Sequence, residues 1–176
     1  MASGAPPRSV CVPQKGTCNT CRMAQRTIEG IDGMKALVGE HLGYSDWLTI
    51  TQERVNQFAE ATGDFQWIHV DVERATKESP FGGPIAHGYL TLSLGPVLAP
   101  QVVAFKGFSM GVNYGANKIR FMSPVPVGAN LRLGMKLVSV DDIAGGGVQA
   151  TLEHVFEVEG AAKPSCVAEI IVRYYS

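Results

Sequence analysis

The sequence predicts an α+β fold, because a helical pattern comes early in the chain and strand patterns come late. Residues 51–63 repeat apolar side chains at helical spacing, whereas three segments after about residue 108 alternate apolar and polar residues. The 176 residues are enough for one sizeable core and too few for two ordinary domains. We therefore predict a single domain.

The first 22 residues differ in composition from the rest of the chain. They are rich in Gly, Pro, Ser, Thr and Cys and show no periodicity, so they bury too little surface to offset the entropy lost on ordering. Cys18 and Cys21 have the spacing of a metal half-site, with Cys11 nearby, but no fourth ligand follows in sequence. We expect residues 1–22 to be a disordered extension without a metal and residues 23–176 to form the domain.

Composition and charge exclude several classes of partner. Apolar residues make up 45% and charged residues 18%, and the net charge of −1 gives no attraction to nucleic acid or an anionic membrane. No run approaches the roughly 18 apolar residues that a bilayer span requires, and the amino terminus lacks the apolar stretch of a signal peptide. We expect a cytoplasmic protein whose partners are small molecules or copies of itself.

Capping signals support the first helix. Thr51 is a candidate N-cap, Val55 and Phe58 lie on one face, and Gly63 has the position of a left-handed cap. The apolar segment at residues 88–99 fits either a buried helix or a buried strand, because its leucines also alternate. Periodicity alone leaves that choice open.

The predicted strands lie near residues 131–137, 148–158 and 168–174, each with apolar side chains on alternate positions. Three consecutive glycines, residues 145–147, separate the first two strands, and residues 160–164 separate the last two. These turn signals indicate an antiparallel meander.

The densest cluster of reactive side chains follows the predicted helix. Asp64 and His69 are five residues apart, so the turning chain can bring a carboxylate and an imidazole to the same water molecule. In the structural alternative, the aspartate satisfies local backbone donors and the histidine is a core residue. A metal site built with Asp71 and His87 in addition is a further alternative, but the spacing matches no known metal motif.

Three ordered blocks carry a family resemblance that spans about residues 35–176. They are Ala61-Thr-Gly-Asp-Phe-Gln-Trp-Ile-His-Val-Asp71, Gly82-Gly-Pro-Ile-Ala-His-Gly88, and Ile119-Arg-Phe121 with Pro124-Val-Pro-Val-Gly128. The pattern resembles the MaoC-like dehydratase family, which includes the (R)-specific enoyl-CoA hydratases. One departure is that Gln66 and Trp67 stand where the family commonly has Asn and Pro.

The resemblance implies a single hot-dog fold, in which an antiparallel sheet wraps around a long central helix. Residues 88–99 would be that helix, and Asp64 and His69 would be the catalytic pair. The amide of Gly88, at the amino end of the helix, would then be a suitable donor to the thioester oxygen. A packing or turn role for this glycine is the alternative.

Substrate contacts are predicted at three further residues. Gln66 offers an amide to the pocket, and Lys118 and Arg120 are candidates for the phosphates of coenzyme A. A solvated strand face is the alternative for the two basic residues.

We regard His87 as shaping the helix entry and His41 and His154 as structural. An acyl tunnel would be lined by side chains of the central helix, namely Leu90, Leu94, Val97 and Leu98.

The implied activity is that of a hydro-lyase, the reversible hydration of a trans-2-enoyl-CoA to (3R)-3-hydroxyacyl-CoA, with no cofactor. A homodimer is expected, because one hot-dog unit leaves a sheet edge open. A thioesterase on the same fold is the nearest alternative, and a non-catalytic acyl-CoA-binding protein is another.

Overall fold

The computed structural model describes residues 25–175 of the chain. The predicted extension at residues 1–22, with its three cysteines, lies outside the described residues. Cys166 is a buried free thiol. Within the described part of the chain, no helix is long and apolar enough to span a membrane.

Eight strands and six helices form over residues 25–175. In chain order they are β1 (Arg26–Glu29), α1 (Gly30–Lys35), β2 (His41–Tyr44), β3 (Leu48–Thr49), α2 (Gln52–Thr62), α3 (Trp67–Val70), α4 (Val72–Glu78), α5 (Gly88–Ser93), α6 (Gly95–Val102), β4 (Val103–Lys106), β5 (Met110–Phe121), β6 (Asn130–Ile143), β7 (Gly147–Val158) and β8 (Cys166–Tyr175).

The main sheet is antiparallel, with strand order β2-β6-β7-β8-β5 and β3 also paired to β6. β1 and β4 form a separate parallel pair. The three predicted strands correspond to β6, β7 and β8, which confirms the meander. β5 was not predicted, because nearly all of its residues are exposed and its sequence therefore lacks an apolar alternation.

The helix at residues 52–62 positions the start of the reactive cluster. Thr51 Oγ1 accepts a hydrogen bond from the amide of Arg54 at 3.2 Å, and Gly63 ends the helix with φ at 76°. Both capping predictions are confirmed. Because a left-handed residue reverses the chain direction, Asp64 leaves the helix toward the neighbouring α3.

The segment at residues 88–99 is helical, which settles the choice that periodicity left open. It forms α5 and α6, with Leu94 between them in right-handed helical conformation. Pro96 has no N–H to donate to the carbonyl of Leu92, so the hydrogen-bond ladder is interrupted at this point. The two helices pack along the main sheet, which confirms the α+β class and the hot-dog arrangement.

The core lies between this helical segment and the sheet. Leu90, Leu94 and Leu98 are each at most 5% exposed and belong to the same apolar cluster as β6 residues Leu133 and Met135. Leucines spaced by four residues share one helix face, so this row faces the sheet along its length.

Truncating the sheet side of this core should destabilise the fold. Leu133→Ala removes a fully buried side chain and should lower the free energy of unfolding by about 2–5 kcal/mol. Val138→Thr, at a 40% exposed position of the same strand, should change it by less than about 0.5 kcal/mol. Urea denaturation measures both, and equal effects of the two substitutions would contradict the assigned core.

Candidate active site

Asp64 and His69 are brought together by two consecutive local structures. Asp64 follows the Gly63 cap and is exposed, while His69 lies in the short helix α3 and is 6% exposed. The side-chain amide of Gln52 donates to the His69 carbonyl at 2.7 Å and so ties α3 to α2. A ligand atom of Asp64 and one of His69 lie within 4.8 Å of each other. The predicted pair therefore converges.

The hydrogen bonding of His69 defines which ring nitrogen is available for chemistry. Nδ1 lies 2.7 Å from the backbone carbonyl oxygen of Ile85. Since a carbonyl only accepts, Nδ1 carries the proton and donates it. In the neutral ring Nε2 is then an unprotonated acceptor, which is the form a general base requires.

The surroundings of His69 favour that neutral form. Burial lowers the pKa of His69 below its ordinary value of 6.5, and the nearby His87 lowers it further. The hydrogen bond to Ile85 and the charge of Asp64 act in the opposite direction but do not outweigh burial. At neutral pH the imidazole is therefore uncharged.

His87 contributes more than the helix entry that the sequence indicated. It is the N-cap residue of α5, its ring lies 3.9 Å from the ring of His69, and it is 2% exposed. Its Nε2 donates to the backbone carbonyl of Asp64 at 2.9 Å, while Nδ1 is buried without a hydrogen-bond partner among residues 25–175. His87 thus holds both members of the pair, which sequence spacing could not reveal.

A cleft of about 280 Å³ opens beside His69 and is lined by Gly88, Thr91 and Phe121, among others. Asp64 stands next to this cleft rather than in its lining. Gly88 is the first residue of α5, so its N–H has no acceptor in a preceding turn. A Cβ atom at this position would lie 3.0 Å from Cγ of Phe121, so glycine permits the close packing.

The three predicted substrate contacts do not line the cleft. Gln66 is exposed, and its carbonyl accepts a bond from the amide of His69. The ammonium group of Lys118 donates to Glu169 at 3.2 Å, and Arg120 donates to the carbonyl of Ile119. A role for Gln66, Lys118 and Arg120 in binding substrate stays a prediction.

The same site has the composition of a divalent-metal site. Asp64, His69 and His87 each offer one ligand atom, and these atoms lie within 4.8 Å of one another. Asp71, the fourth residue of the metal alternative, instead caps α4 by accepting a bond from the amide of Arg74 at 3.0 Å. Acid-base chemistry requires only the carboxylate and the imidazole of this group.

A larger cavity, of about 830 Å³, lies between the α5–α6 segment and strands β5, β7 and β8. Its helical wall consists of Leu92, Ser93, Gly95, Pro96, Ala99 and Pro100. The predicted tunnel residues Leu90, Leu94, Val97 and Leu98 are absent from the lining, so that prediction is wrong. The three leucines face the core, and Val97 is 52% exposed on another face of the helical segment.

The family model described as "MaoC like domain" matches residues 34–158. The 3-hydroxyacyl-thioester dehydratase Z of Mycobacterium tuberculosis is 56% identical over 149 residues, which cover 85% of this chain and 98% of that protein. Nodulation protein N of Rhizobium meliloti is 42% identical over 143 residues, covering 80% of this chain and 88% of that protein.

Among solved structures, the (R)-hydratase from A. caviae aligns with a TM-score of 0.63 and 25% identity, over 77% of this chain and 94% of that one. The monoamine oxidase regulatory protein from Archaeoglobus aligns with a TM-score of 0.68 and 24% identity, over 88% and 99%, and this likeness shows the fold. On the family match and the relatives of high identity, the chain belongs to the MaoC-like dehydratase family.

Proposed function

We propose that this protein is an (R)-specific enoyl-CoA hydratase, which in the reverse direction is a 3-hydroxyacyl-CoA dehydratase. It adds water to a trans-2-enoyl-CoA and gives (3R)-3-hydroxyacyl-CoA. The observation that carries the proposal is the convergence of the Asp64 carboxylate and the neutral His69 imidazole beside the amino end of α5. The dehydratase relative and the (R)-hydratase structure support it.

In hydration, one water molecule bonds to Nε2 of His69 and to the carboxylate of Asp64. Nε2 takes a proton from the water as its oxygen forms a bond to the β-carbon. The imidazolium formed in this way is stabilised by Asp64 and by the Ile85 carbonyl, which accepts from Nδ1. The proton is then delivered to the α-carbon, so that the elements of one water are added across the double bond.

The thioester oxygen becomes negative during this addition and needs a donor. The N–H of Gly88 points from the first turn of α5, where the partial positive charge of the helix end adds to the hydrogen bond. Gly88 and His69 line the same cleft, so the thioester and the attacking water can lie side by side. Thr91 lines this cleft and the next residue of α5, Leu92, lines the larger cavity, so an acyl tail that follows α5 past Thr91 reaches that cavity.

A homodimer forms part of the proposal. β5 pairs only with β8 in the described sheet and leaves its other edge open. This edge strand exposes Met110, Val112 and Tyr114 at 53%, 39% and 56%. A long apolar edge strand is covered in stable proteins, and a second copy placed along it would extend the sheet. A cytoplasmic location would bring the enzyme together with CoA thioesters and stays a prediction.

Removing either member of the pair should strongly lower turnover without unfolding the protein. Asp64→Asn and His69→Ala should each lower kcat by about 10²- to 10⁴-fold, the usual contribution of a general acid or base. The measurement follows loss of the enoyl absorbance of crotonyl-CoA together with release of free thiol. Chiral analysis of the product tests the (3R) configuration.

The matched control is Glu60→Gln, which neutralises an exposed carboxylate on α2 and should leave turnover unchanged. Near-normal turnover in Asp64→Asn or His69→Ala, with the melting temperature retained, would remove that residue from the mechanism. Thiol release that keeps pace with loss of the enoyl signal would instead assign the protein to the thioesterases.

The pH dependence should report the lowered pKa of His69. Only the neutral ring can accept a proton, so kcat/KM should be constant above pH 6.5 and fall as the pH drops through a value below 6.5. A stopped assay between about pH 4.5 and about pH 8 measures this limb. An acid limb centred above 7 would contradict the assignment of a neutral His69 as base.

Gly88→Ala should impair catalysis by displacing Phe121 from the new Cβ or by shifting the amide. We expect kcat/KM to fall by about tenfold or more. The fall should be smaller than the roughly 10²- to 10³-fold effect of losing an oxyanion donor completely, because alanine keeps the N–H and only displaces it. Gly83→Ala is the control, because nothing lies within 4 Å of its added Cβ. Equal activity of both variants would assign Gly88 a packing role only.

A further inference from the structure

His154 is a buried histidine without any hydrogen bond in the described part of the chain. It lies on β7, is 5% exposed, and its Nε2 is buried with no partner. Its aromatic neighbour is Phe156, whose ring meets it edge-on at 6.2 Å between centroids. Nε2 is fully enclosed by the protein, so Nδ1 is the ring nitrogen that a partner from outside the chain can reach. Buried polar side chains are nearly always hydrogen-bonded, so the unpaired Nδ1 calls for such a partner.

The imidazole is suited to a neutral partner. Burial lowers the pKa of His154 to about 4, so the ring is uncharged at neutral pH. A neutral imidazole offers one N–H donor and one acceptor. A hydroxyl group, which also donates and accepts, matches it better than a carboxylate or an ammonium ion.

The ring borders the cavity of about 830 Å³ next to Gly95. A Cβ atom on Gly95 would lie 3.4 Å from Nδ1 of His154, so the absence of a side chain there leaves this edge of the ring uncovered by the helix. The surrounding lining is mostly apolar and includes Leu152, Ile170 and Val172. A polar group that entered this cavity would find a hydrogen-bonding partner in His154.

The position of the cavity relates it to the acyl tail. Gly88, at the proposed thioester site, and Gly95, beside His154, are seven residues apart along the α5–α6 segment. At the rise of an α-helix this separation is about 10 Å, which a medium-length acyl chain spans. The tail of such a substrate would reach His154 while its thioester remained at Gly88.

We propose that the cavity selects acyl thioesters whose tail carries a hydroxyl group, which hydrogen-bonds to His154. This inference rests on the proposed hydratase function and names the substrate class of the same site. Because the contact is far from the reacting carbons, it stabilises the bound substrate and the transition state equally. It therefore acts on KM rather than on kcat.

The test compares oct-2-enoyl-CoA, whose extended tail spans about the same 10 Å, with its ω-hydroxylated counterpart on the full chain. The wild-type protein should prefer the hydroxylated substrate by about tenfold in kcat/KM, the effect of one hydrogen bond to a buried group, with the difference in KM. His154→Phe keeps an aromatic ring and removes both nitrogens, so it should abolish the preference while hydration of the unsubstituted tail is retained.

Leu152→Met is the matched control, because it changes the shape of the same lining without adding or removing a hydrogen-bonding group, and it should affect both substrates alike. The inference is overturned if the wild-type protein shows no preference, or if His154→Phe keeps it. If His154→Phe does not fold, the wild-type comparison alone decides.

Crotonyl-CoA separates the two proposals. Hydration of crotonyl-CoA without hydration of either long substrate would overturn the tail assignment and leave the hydratase function in place. Failure to hydrate crotonyl-CoA and both long substrates would overturn the two proposals together.

Discussion

The packing of one helical row against the sheet determines where every functional group lies. Leu90, Leu94 and Leu98 are buried against β6 and its neighbours, and this contact fixes the orientation of the α5–α6 segment. Because the leucine face packs in the core, the amino end of α5 places Gly88 beside His69. The neighbouring face of the α5–α6 segment forms a wall of the larger cavity. The apolar core thus sets the geometry of the polar site beside it.

The chemistry of the pair depends on backbone carbonyls as much as on the pair itself. The Ile85 carbonyl accepts a hydrogen bond from Nδ1 of His69, and the Asp64 carbonyl accepts one from Nε2 of His87. Each histidine is thereby held in one tautomer and one orientation. Burial and the nearby second imidazole then lower the pKa of His69, which favours the neutral ring that the proposed role as a base requires.

Local signals in the sequence predicted the elements that depend on local physics. Thr51 and Gly63 act as caps, and the alternation of β6, β7 and β8 reports a sheet with one buried face. The motif blocks predicted a pair, Asp64 and His69, whose side chains the structure brings together. The role of His87 was missed, because its contact with His69 is made across 18 residues and depends on how α5 meets α3. The tunnel residues were assigned to the wrong helix face, because an apolar pattern does not say which of two faces meets the sheet and which meets a cavity.

The most direct test of the account follows a single oxygen atom. Crotonyl-CoA is incubated with the protein in water enriched in heavy oxygen, and the products are examined by mass spectrometry. The account predicts one heavy oxygen on the β-carbon of an intact 3-hydroxybutyryl-CoA, with no label in the thioester carbonyl. Label found in free crotonate, with coenzyme A released, would contradict it, because the same residues would then direct water to the carbonyl carbon.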